Sequence, residues 1–208
     1  SHFTNNAWTK PKKMNAPINS IGKESAMTLS SDGKVMYFIS NRPGGYGFGD
    51  IYKSTLDDTG KWKTPQNLGP SINTQYDEQG VFLQQDGNVL YFSSTGHNTM
   101  GGYDIFKSVY DKGQWSLPEN LGYPINTPGD DVFFTMPANN KKHAYYSSSQ
   151  ESGEDMDIYM ITFLGPEKQV AYSNAPGALS GITSNIPDVM TNEAVTVVSN
   201  KDLLKGTV

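Results

Sequence analysis

Trp62-Lys-Thr-Pro-Gln-Asn-Leu-Gly-Pro-Ser-Ile-Asn73 is one of three versions of the same stretch in this chain. The first version is Trp8-Thr-Lys-Pro-Lys-Lys-Met-Asn-Ala-Pro-Ile-Asn19, and the third is Trp115-Ser-Leu-Pro-Glu-Asn-Leu-Gly-Tyr-Pro-Ile-Asn126. The steps between the tryptophans are 62 − 8 = 54 and 115 − 62 = 53 residues. The spacing predicts a chain built from a repeated unit of about fifty-four residues.

A second motif repeats in the same register. Asp50-Ile-Tyr52 returns as Asp104-Ile-Phe106 and as Asp157-Ile-Tyr159, again separated by 54 and 53 residues. Two unrelated markers that keep the same phase are hard to obtain by chance, so each period is predicted to be one structural unit.

Each period holds two short runs of β-branched and aromatic residues, which favour strands over helices. In the first period the runs are Glu24-Ser-Ala-Met-Thr-Leu-Ser30 and Val35-Met-Tyr-Phe-Ile-Ser40, with Asp32-Gly33 between them. Aspartate and glycine tolerate the positive φ of a tight turn, so this pair predicts a hairpin. The pattern recurs at 80–84 with 88–93, and at 132–136 with 144–147.

A glycine-rich loop, a strand from the Asp-Ile-Tyr motif and a short strand with the tryptophan complete each period. Four antiparallel strands in a repeat of roughly forty to fifty residues are typical of a β-propeller blade. The predicted fold class is therefore all-β, with three four-stranded propeller blades and no helix. A β-sandwich is the other all-β architecture, but it does not explain a strict period. Because propellers have at least about four blades, we expect a larger propeller with its missing blades upstream.

The predicted domain organisation follows from these repeats. Residues 1–163 form a partial propeller, with blades at about 20–64, 74–117 and 127–163 and with 1–12 as the last strand of a preceding blade. Residues 164–188, rich in Gly, Pro, Ala, Ser and Asn, are predicted to be a linker. Residues 189–208 are predicted to begin a β-sandwich-like domain or an extended tail. The outer strand of the third blade is expected from 167–172, or from the N-terminal end of the complete propeller.

Composition narrows the function classes. A net charge of −5 and a pI near 5.1 argue against nucleic-acid binding, which depends on a basic face. The chain has no cysteine, which excludes disulfides and thiolate metal sites. The sequence shows no membrane span. No catalytic, cofactor-binding or metal-binding residue is predicted.

Glu24, Glu78 and Asp131 begin the innermost strands of the three predicted blades, at steps of 54 and 53 residues. If those strands line a central channel, the three acids form part of an acidic ring that holds a cation or a basic peptide segment. Repeated polar residues usually serve repeated turns, which favours the alternative that each acid stabilises a turn. The aspartates of the Asp-Ile-Tyr motif are interpreted as turn-stabilising in the same way.

Non-repeated loop residues at one rim are the candidates for partner binding, because rigid scaffolds commonly present binding residues on loops. These residues are Arg42, Tyr46, Phe48, His97, Asn98 and Met100. For Tyr46 and Phe48, covering the edge of their own blade is the alternative role. The tryptophans and the other repeated aromatics are expected in the core.

Residues 30–52, Ser-Ser-Asp-Gly-Lys-Val-Met-Tyr-Phe-Ile-Ser-Asn-Arg-Pro-Gly-Gly-Tyr-Gly-Phe-Gly-Asp-Ile-Tyr, resemble the WD40-like propeller repeat (PD40) of TolB and of OmpA-family proteins from Bacteroidetes-type bacteria. The resemblance covers about residues 8–163. The phrase Trp-x-x-Pro-x-Asn-Leu-Gly-x-x-Ile-Asn is similar to the OmpA-associated, PorE-like type rather than to TolB. This resemblance implies a periplasmic protein associated with the outer membrane, which binds peptidoglycan through a domain outside this chain.

The predicted function is a non-enzymatic protein-interaction scaffold of the bacterial cell envelope. Its expected partner is a protein of the outer-membrane or type IX secretion machinery, as the resemblance implies. One alternative is a glycoside-processing propeller enzyme, which requires two carboxylates about 5 to 9.5 Å apart. Asp77 and Asp130 precede two inner-strand acids where the first period has Lys23, a sign of specialisation. The other alternative is a TolB-like periplasmic module.

Overall fold

The computed structural model describes residues 3–4, 6–150, 155–164 and 195–199. Within those residues the secondary structure consists of strands and contains no helix. The strands form a two-stranded hairpin and three larger antiparallel sheets. The prediction of an all-β chain is thus confirmed for the described residues.

Sheet 1 is a four-stranded sheet that follows the N-terminal hairpin. The hairpin joins β1 (Phe3–Thr4) to β2 (Ala7–Trp8), so in the structure this segment pairs with itself. The strands of sheet 1 lie in chain order: β3 (Glu24–Leu29), β4 (Val35–Ser40), β5 (Asp50–Thr55) and β6 (Gln66–Asn67). Trp62 was expected on the fourth strand, but it forms only an isolated bridge with Leu56.

Sheet 2 has the same plan with one more strand. Its strands are β7 (Glu78–Leu83), β8 (Val89–Ser94), β9 (Asp104–Asp111), β10 (Gln114–Trp115) and β11 (Glu119–Asn120). Both β10 and β11 pair with β9, at different points along its length. Here the tryptophan does lie on a strand, as the repeat predicted.

Sheet 3 takes its fourth strand from far along the chain. Its strands are β12 (Asp131–Thr135), β13 (His143–Ser148), β14 (Asp157–Phe163) and β15 (Val195–Ser199). β15 pairs antiparallel with β14 along five residue pairs. The sequence placed 195–199 in a following domain and expected the outer strand from 167–172 or the N-terminus. The edge of β14 is covered as expected, but by a different segment; residues 167–172 lie outside the described residues.

The first two strands of every sheet form the predicted hairpin. The turn between β3 and β4 places Gly33 at a φ of 69°, and the corresponding turn of sheet 2 places Gly87 at 78°. These left-handed values suit glycine and explain the Asp-Gly pairs. The alternation of side chains along β4, β8 and β13 then directs apolar residues to both faces of each sheet.

Two apolar cores lie between consecutive sheets. The core between sheets 1 and 2 is built by Tyr37, Ile39, Ile51, Val81, Leu83, Leu90, Phe92 and Phe106, together with Ile72 from the connecting loop. The core between sheets 2 and 3 is built by Tyr91, Ile105, Phe134, Ala144, Tyr146, Tyr159 and Ile161, with Ile125 from the next loop. Sheet 2 is therefore covered on both faces.

A buried asparagine closes each connection between sheets. Asn73 lies beside β5, and its side-chain amide forms the hydrogen bonds that the main chain of a neighbouring strand would form. Its Oδ1 accepts from the Ile51 N–H (2.8 Å), and its Nδ2 donates to the Ile51 carbonyl (3.0 Å) and to Asn67 Oδ1 (2.7 Å). Asn67 Nδ2 in turn donates to Asp50 Oδ2 (2.8 Å). The repeated Asn-Leu-Gly-x-x-Ile-Asn phrase encodes this network.

The network recurs between sheets 2 and 3 with the same partners. Asn126 pairs with both main-chain groups of Ile105 (2.8 and 2.9 Å) and donates to Asn120 Oδ1 (2.7 Å). Asn120 Nδ2 donates to Asp104 Oδ2 (2.7 Å). Because Asn73 and Asn126 are fully buried, water cannot replace a hydrogen bond that either amide loses.

We expect Asn73→Ala to lower the free energy of unfolding by about 3 kcal/mol, because it removes three hydrogen bonds and leaves the buried Ile51 N–H without its acceptor. Asn88→Ala is the control, since that exposed side chain makes no hydrogen bond in the described structure; its change should stay within about 0.5 kcal/mol. Urea unfolding monitored by fluorescence measures both. Equal small losses would show that the network is not required.

Candidate functional site

The acid at the start of each inner strand is bound to its own turn. Glu78 is 1% exposed, and its Oε1 accepts from the Thr74 hydroxyl (2.7 Å) and from the Ser94 hydroxyl (2.9 Å). The Thr74 N–H donates to the same carboxylate at 3.2 Å. The side chain therefore joins the turn before β7 to the end of β8.

Glu24 and Asp131 make the same connection in the other two sheets. Glu24 accepts from the Ser20 hydroxyl (2.5 Å) and from the Ser40 hydroxyl (3.0 Å). Asp131 accepts from the Thr127 N–H (2.6 Å) and hydroxyl (3.1 Å). Within the described residues, no three acidic or histidine side chains come together as a metal site. All three acids accept hydrogen bonds from their own turns, as the turn-stabilising alternative expects, while Asp131 Oδ1 is buried without a hydrogen bond.

Burial makes Glu78 electrostatically different from Glu24. Desolvation raises the pKa of Glu78 to about 7, although hydrogen bonds from Thr74 and Ser94 oppose it. Burial opposes ionisation of Glu24 too, but hydrogen bonds from Ser20 and Ser40 and the charge of Arg42 outweigh it, so the pKa of Glu24 is lowered. The pKa values of two acids at equivalent positions are thus shifted in opposite directions.

The rim loops are held by the aspartates of the second motif. Asp50 Oδ2 accepts from the Tyr46 N–H (2.6 Å), and Asp104 Oδ2 accepts from the Met100 N–H (2.8 Å). Tyr46 and Met100 are 54 residues apart, so the two loops are equivalent. The interpretation of Asp50 and Asp104 as turn-stabilising residues is confirmed.

Glycine lets the first of these loops touch the next sheet. The Phe48 N–H donates to the Tyr76 carbonyl (2.7 Å), just before β7. A Cβ at Gly47 would collide with that same carbonyl oxygen, and Gly101 is in the equivalent contact with Pro128. Each loop is thus fixed between two sheets while its side chains point outward.

The three large apolar residues of the predicted rim are well exposed. Phe48 is 76% exposed, Tyr46 52% and Met100 48%. Asn98 is also exposed, and its carbonyl accepts from Asn120 Nδ2 at 3.0 Å. The loops of sheets 1 and 2 therefore present apolar side chains on a backbone that hydrogen bonds hold in place.

Arg42, predicted to be an exposed rim residue, is instead turned onto sheet 1. Its side chain is 12% exposed and pairs with Glu24 at 3.2 Å. The guanidinium lies 5.0 Å from the ring centres of Phe38 and of Tyr52 and donates to the Ile18 carbonyl at 2.6 Å. Stacking and charge pairing make it a structural clamp.

His97 occupies the corresponding place in sheet 2. Its Nε2 lies 2.9 Å from the Ile72 carbonyl oxygen, and its ring packs 5.2 Å from Phe106 and 6.1 Å from Phe92. The residue remains exposed overall, but its ring is engaged with its own sheet. The His97 ring takes in sheet 2 the place that the Arg42 side chain takes in sheet 1, although the residue aligned with Arg42 in the repeat is Gly96, at 96 − 42 = 54.

A cavity of about 310 Å³ opens beside the rim, between sheets 1 and 2. Lys23 and Asp77, which are equivalent in the repeat at 77 − 23 = 54, line it together with Asn41, Phe48 and Gln79. Phe133 of sheet 3 also lines it.

Neither Phe133 nor the cavity was predicted from the sequence. The available signals were the change from Lys23 to Asp77 and a phenylalanine aligned with Gly80. Both are departures from the repeat, and the lining residues are far apart in sequence.

No protein-family model matches the chain, and no curated protein matches it. Among the described residues, no helix is long or apolar enough to cross a membrane.

Glu78→Gln should change how stability depends on pH. Between the ordinary pKa of 4.5 and about 7, the folded protein holds a proton on Glu78 that the unfolded chain has released. The contribution of Glu78 to the free energy of unfolding therefore falls as pH rises through this window. The substituted amide does not ionise, so the variant should gain on the order of 2 kcal/mol relative to wild type between pH 4.5 and 8.

Glu24→Gln is the matched control for this experiment. Since the pKa of Glu24 is lowered, its ionised form stabilises the fold above the unfolded pKa, and that contribution is lost as pH falls. The control should therefore lose stability relative to wild type as pH rises. Denaturant titrations at several pH values measure both differences; parallel curves for the two variants would contradict the assignment.

Proposed function

We propose that sheets 1, 2 and 3 are neighbouring blades of a β-propeller and that the propeller is a non-enzymatic protein-interaction scaffold. The first part is supported by the two end faces of the arrangement. At each end, apolar residues are exposed whose equivalents in a neighbouring sheet are buried.

The free face of sheet 3 retains residues of an inter-sheet core. Ile51, Ile105 and Ile158 are equivalent, at steps of 54 and 53. Ile51 and Ile105 are fully buried by the following sheet, whereas Ile158 is 59% exposed. Tyr145, equivalent to the buried Tyr37, is likewise partly exposed. Apolar residues of this type are expected to lie under a further sheet.

The opposite end shows the complementary pattern on β3. Met27 and Leu29 are exposed, while their equivalents Val81 and Leu83 are buried against sheet 1. Both ends therefore carry the residues of one more interface, as in a ring of similar sheets.

The scaffold function rests on one observation: Phe48, Tyr46 and Met100 are exposed on loops that partly buried hydrogen bonds to Asp50 and Asp104 hold in place. Pre-ordered aromatic and methionine side chains are the residue types that contribute most at protein interfaces. A partner that covers them would not have to order the loops, so little entropy would be lost there.

The setting follows from the sequence resemblance. The scaffold would belong to an OmpA-family protein of the PorE-like type, in the periplasm next to the outer membrane. Its partner would be an outer-membrane or type IX secretion protein, while a domain outside this chain binds peptidoglycan.

The engagement of the repeated carboxylates supports a non-enzymatic role. Glu24 and Asp131 are bound to hydroxyl and main-chain donors, and the Glu78 carboxylate is directed to Thr74 and Ser94. A retaining or inverting glycosidase instead needs two carboxylates free to face the sugar.

The propeller is tested by the structure of the protein in its native assembly. We expect Tyr145 and Ile158 to be covered by a sheet of the same repeat type, because their equivalents are covered in this way. A crystal structure of that assembly provides the measurement. If both side chains face solvent there, the propeller proposal is wrong.

The scaffold is tested by replacing Tyr46, Phe48 and Met100 together with serine. An anchor buried by a partner contributes on the order of 2 kcal/mol, so partner recovery from envelope extracts should fall by at least about tenfold. The control replaces Leu117 and Tyr123 with serine, since both are 79% exposed elsewhere. Undiminished recovery by a folded triple variant would eliminate this rim as the binding surface.

A further inference from the structure

Phe133 has a backbone conformation that suits glycine. Its φ is 59°, in the left-handed region that bulky residues rarely adopt. The equivalent residue in sheet 2 is Gly80, 53 positions earlier, with a φ of 56°. Val132 and Phe134 are both buried and hold the strand in place on either side. The strained position thus carries a large ring where the repeat has none, and such strain is concentrated at functional sites.

The ring of Phe133 is half-exposed and lines the cavity between sheets 1 and 2. Phe48 lines the same cavity from sheet 1 and is the more exposed of the two. The site therefore offers two accessible aromatic rings, suited to packing against the apolar faces of a ligand.

The polar lining carries both charges and both hydrogen-bonding roles. Lys23 and Asp77 come from opposite walls, and among the described residues no ion pair joins them. Asp77 Oδ2 accepts from the Tyr103 hydroxyl at 2.5 Å, which fixes the carboxylate and leaves Oδ1 as an acceptor. Asn41 Oδ1 already accepts from the Lys23 N–H, so its Nδ2 remains a donor, and the Gln79 amide can do both.

These features favour a neutral ligand with many hydroxyl groups. Lys23 and Asp77 balance each other. The third ionisable residue of the lining, Glu78, is 1% exposed and has its carboxylate bound by Thr74 and Ser94, so a charged ligand gains little from the site as a whole. Hydroxyl groups donate to Asp77 and accept from Lys23 or Asn41. The volume of about 310 Å³ is at the lower end for ligand sites, which suits one compact ring rather than an extended chain.

We propose that this cavity binds a sugar ring as one unit of a saccharide, with the ring against Phe48 or Phe133 and its hydroxyls on Asp77 and Lys23. The site shares Phe48 with the rim that is proposed to bind a protein partner, whereas Phe133 and Asp77 belong to the cavity and not to that rim.

The test uses the fluorescently labelled chain on a printed array of defined oligosaccharides, followed by calorimetric titration with a retained saccharide. We expect retention on the array, and at least tenfold weaker binding for Phe133→Gly and for Asp77→Asn. Phe133→Gly should keep the fold, since Gly80 has the same backbone conformation in sheet 2. Asp77→Asn keeps an oxygen for the Tyr103 hydroxyl. Tyr123→Ala, an exposed aromatic outside the cavity, should bind like wild type.

Two results would overturn the proposal. One is an array on which no oligosaccharide retains wild-type protein above the blank. The other is unchanged affinity in both cavity variants. Phe133→Gly also separates the two functions, because its recovery of the protein partner should equal that of wild type whether or not saccharide binding is lost.

Discussion

The buried side-chain amides of Asn73 and Asn126 hold each sheet to the connection that leads to the next sheet. Each amide pairs with both main-chain groups of a residue on the third strand of its sheet, as a neighbouring strand would. A side chain that takes this role ends the sheet and starts the next connection at one defined place. The penalty for leaving such buried groups unpaired keeps the connection fixed.

The same network extends from the core to the surface. Asn73 donates to Asn67, Asn67 donates to Asp50, and Asp50 accepts from the Tyr46 N–H in the rim loop. The backbone of an exposed loop is thereby linked to the interior through three successive side chains. This linkage explains how the loop can present a tyrosine and a phenylalanine to solvent without being loosely held.

The residues of the proposed saccharide site lie where the repeat is broken. The inner-strand acids play the same part in the three sheets, because each accepts hydrogen bonds from its own turn. By contrast, Lys23 and Asp77 differ in charge at equivalent positions and face one cavity, and Phe133 replaces a glycine at its edge. Arg42 is the counter-example, because it is equally non-repeated but serves to clamp sheet 1.

Local sequence patterns were enough to predict the main strands, their hairpins and the period, because alternating apolar residues and Asp-Gly turns act over a few neighbouring residues. They also indicated that Asp50 and Asp104 stabilise turns. Tertiary structure decided which segments come together. Val195–Ser199 pairs with β14 across more than thirty intervening residues, and the sequence between them carries no pairing signal. The inward turn of Arg42 and the cavity around Phe133 depend on packing between sheets, which a local pattern does not encode.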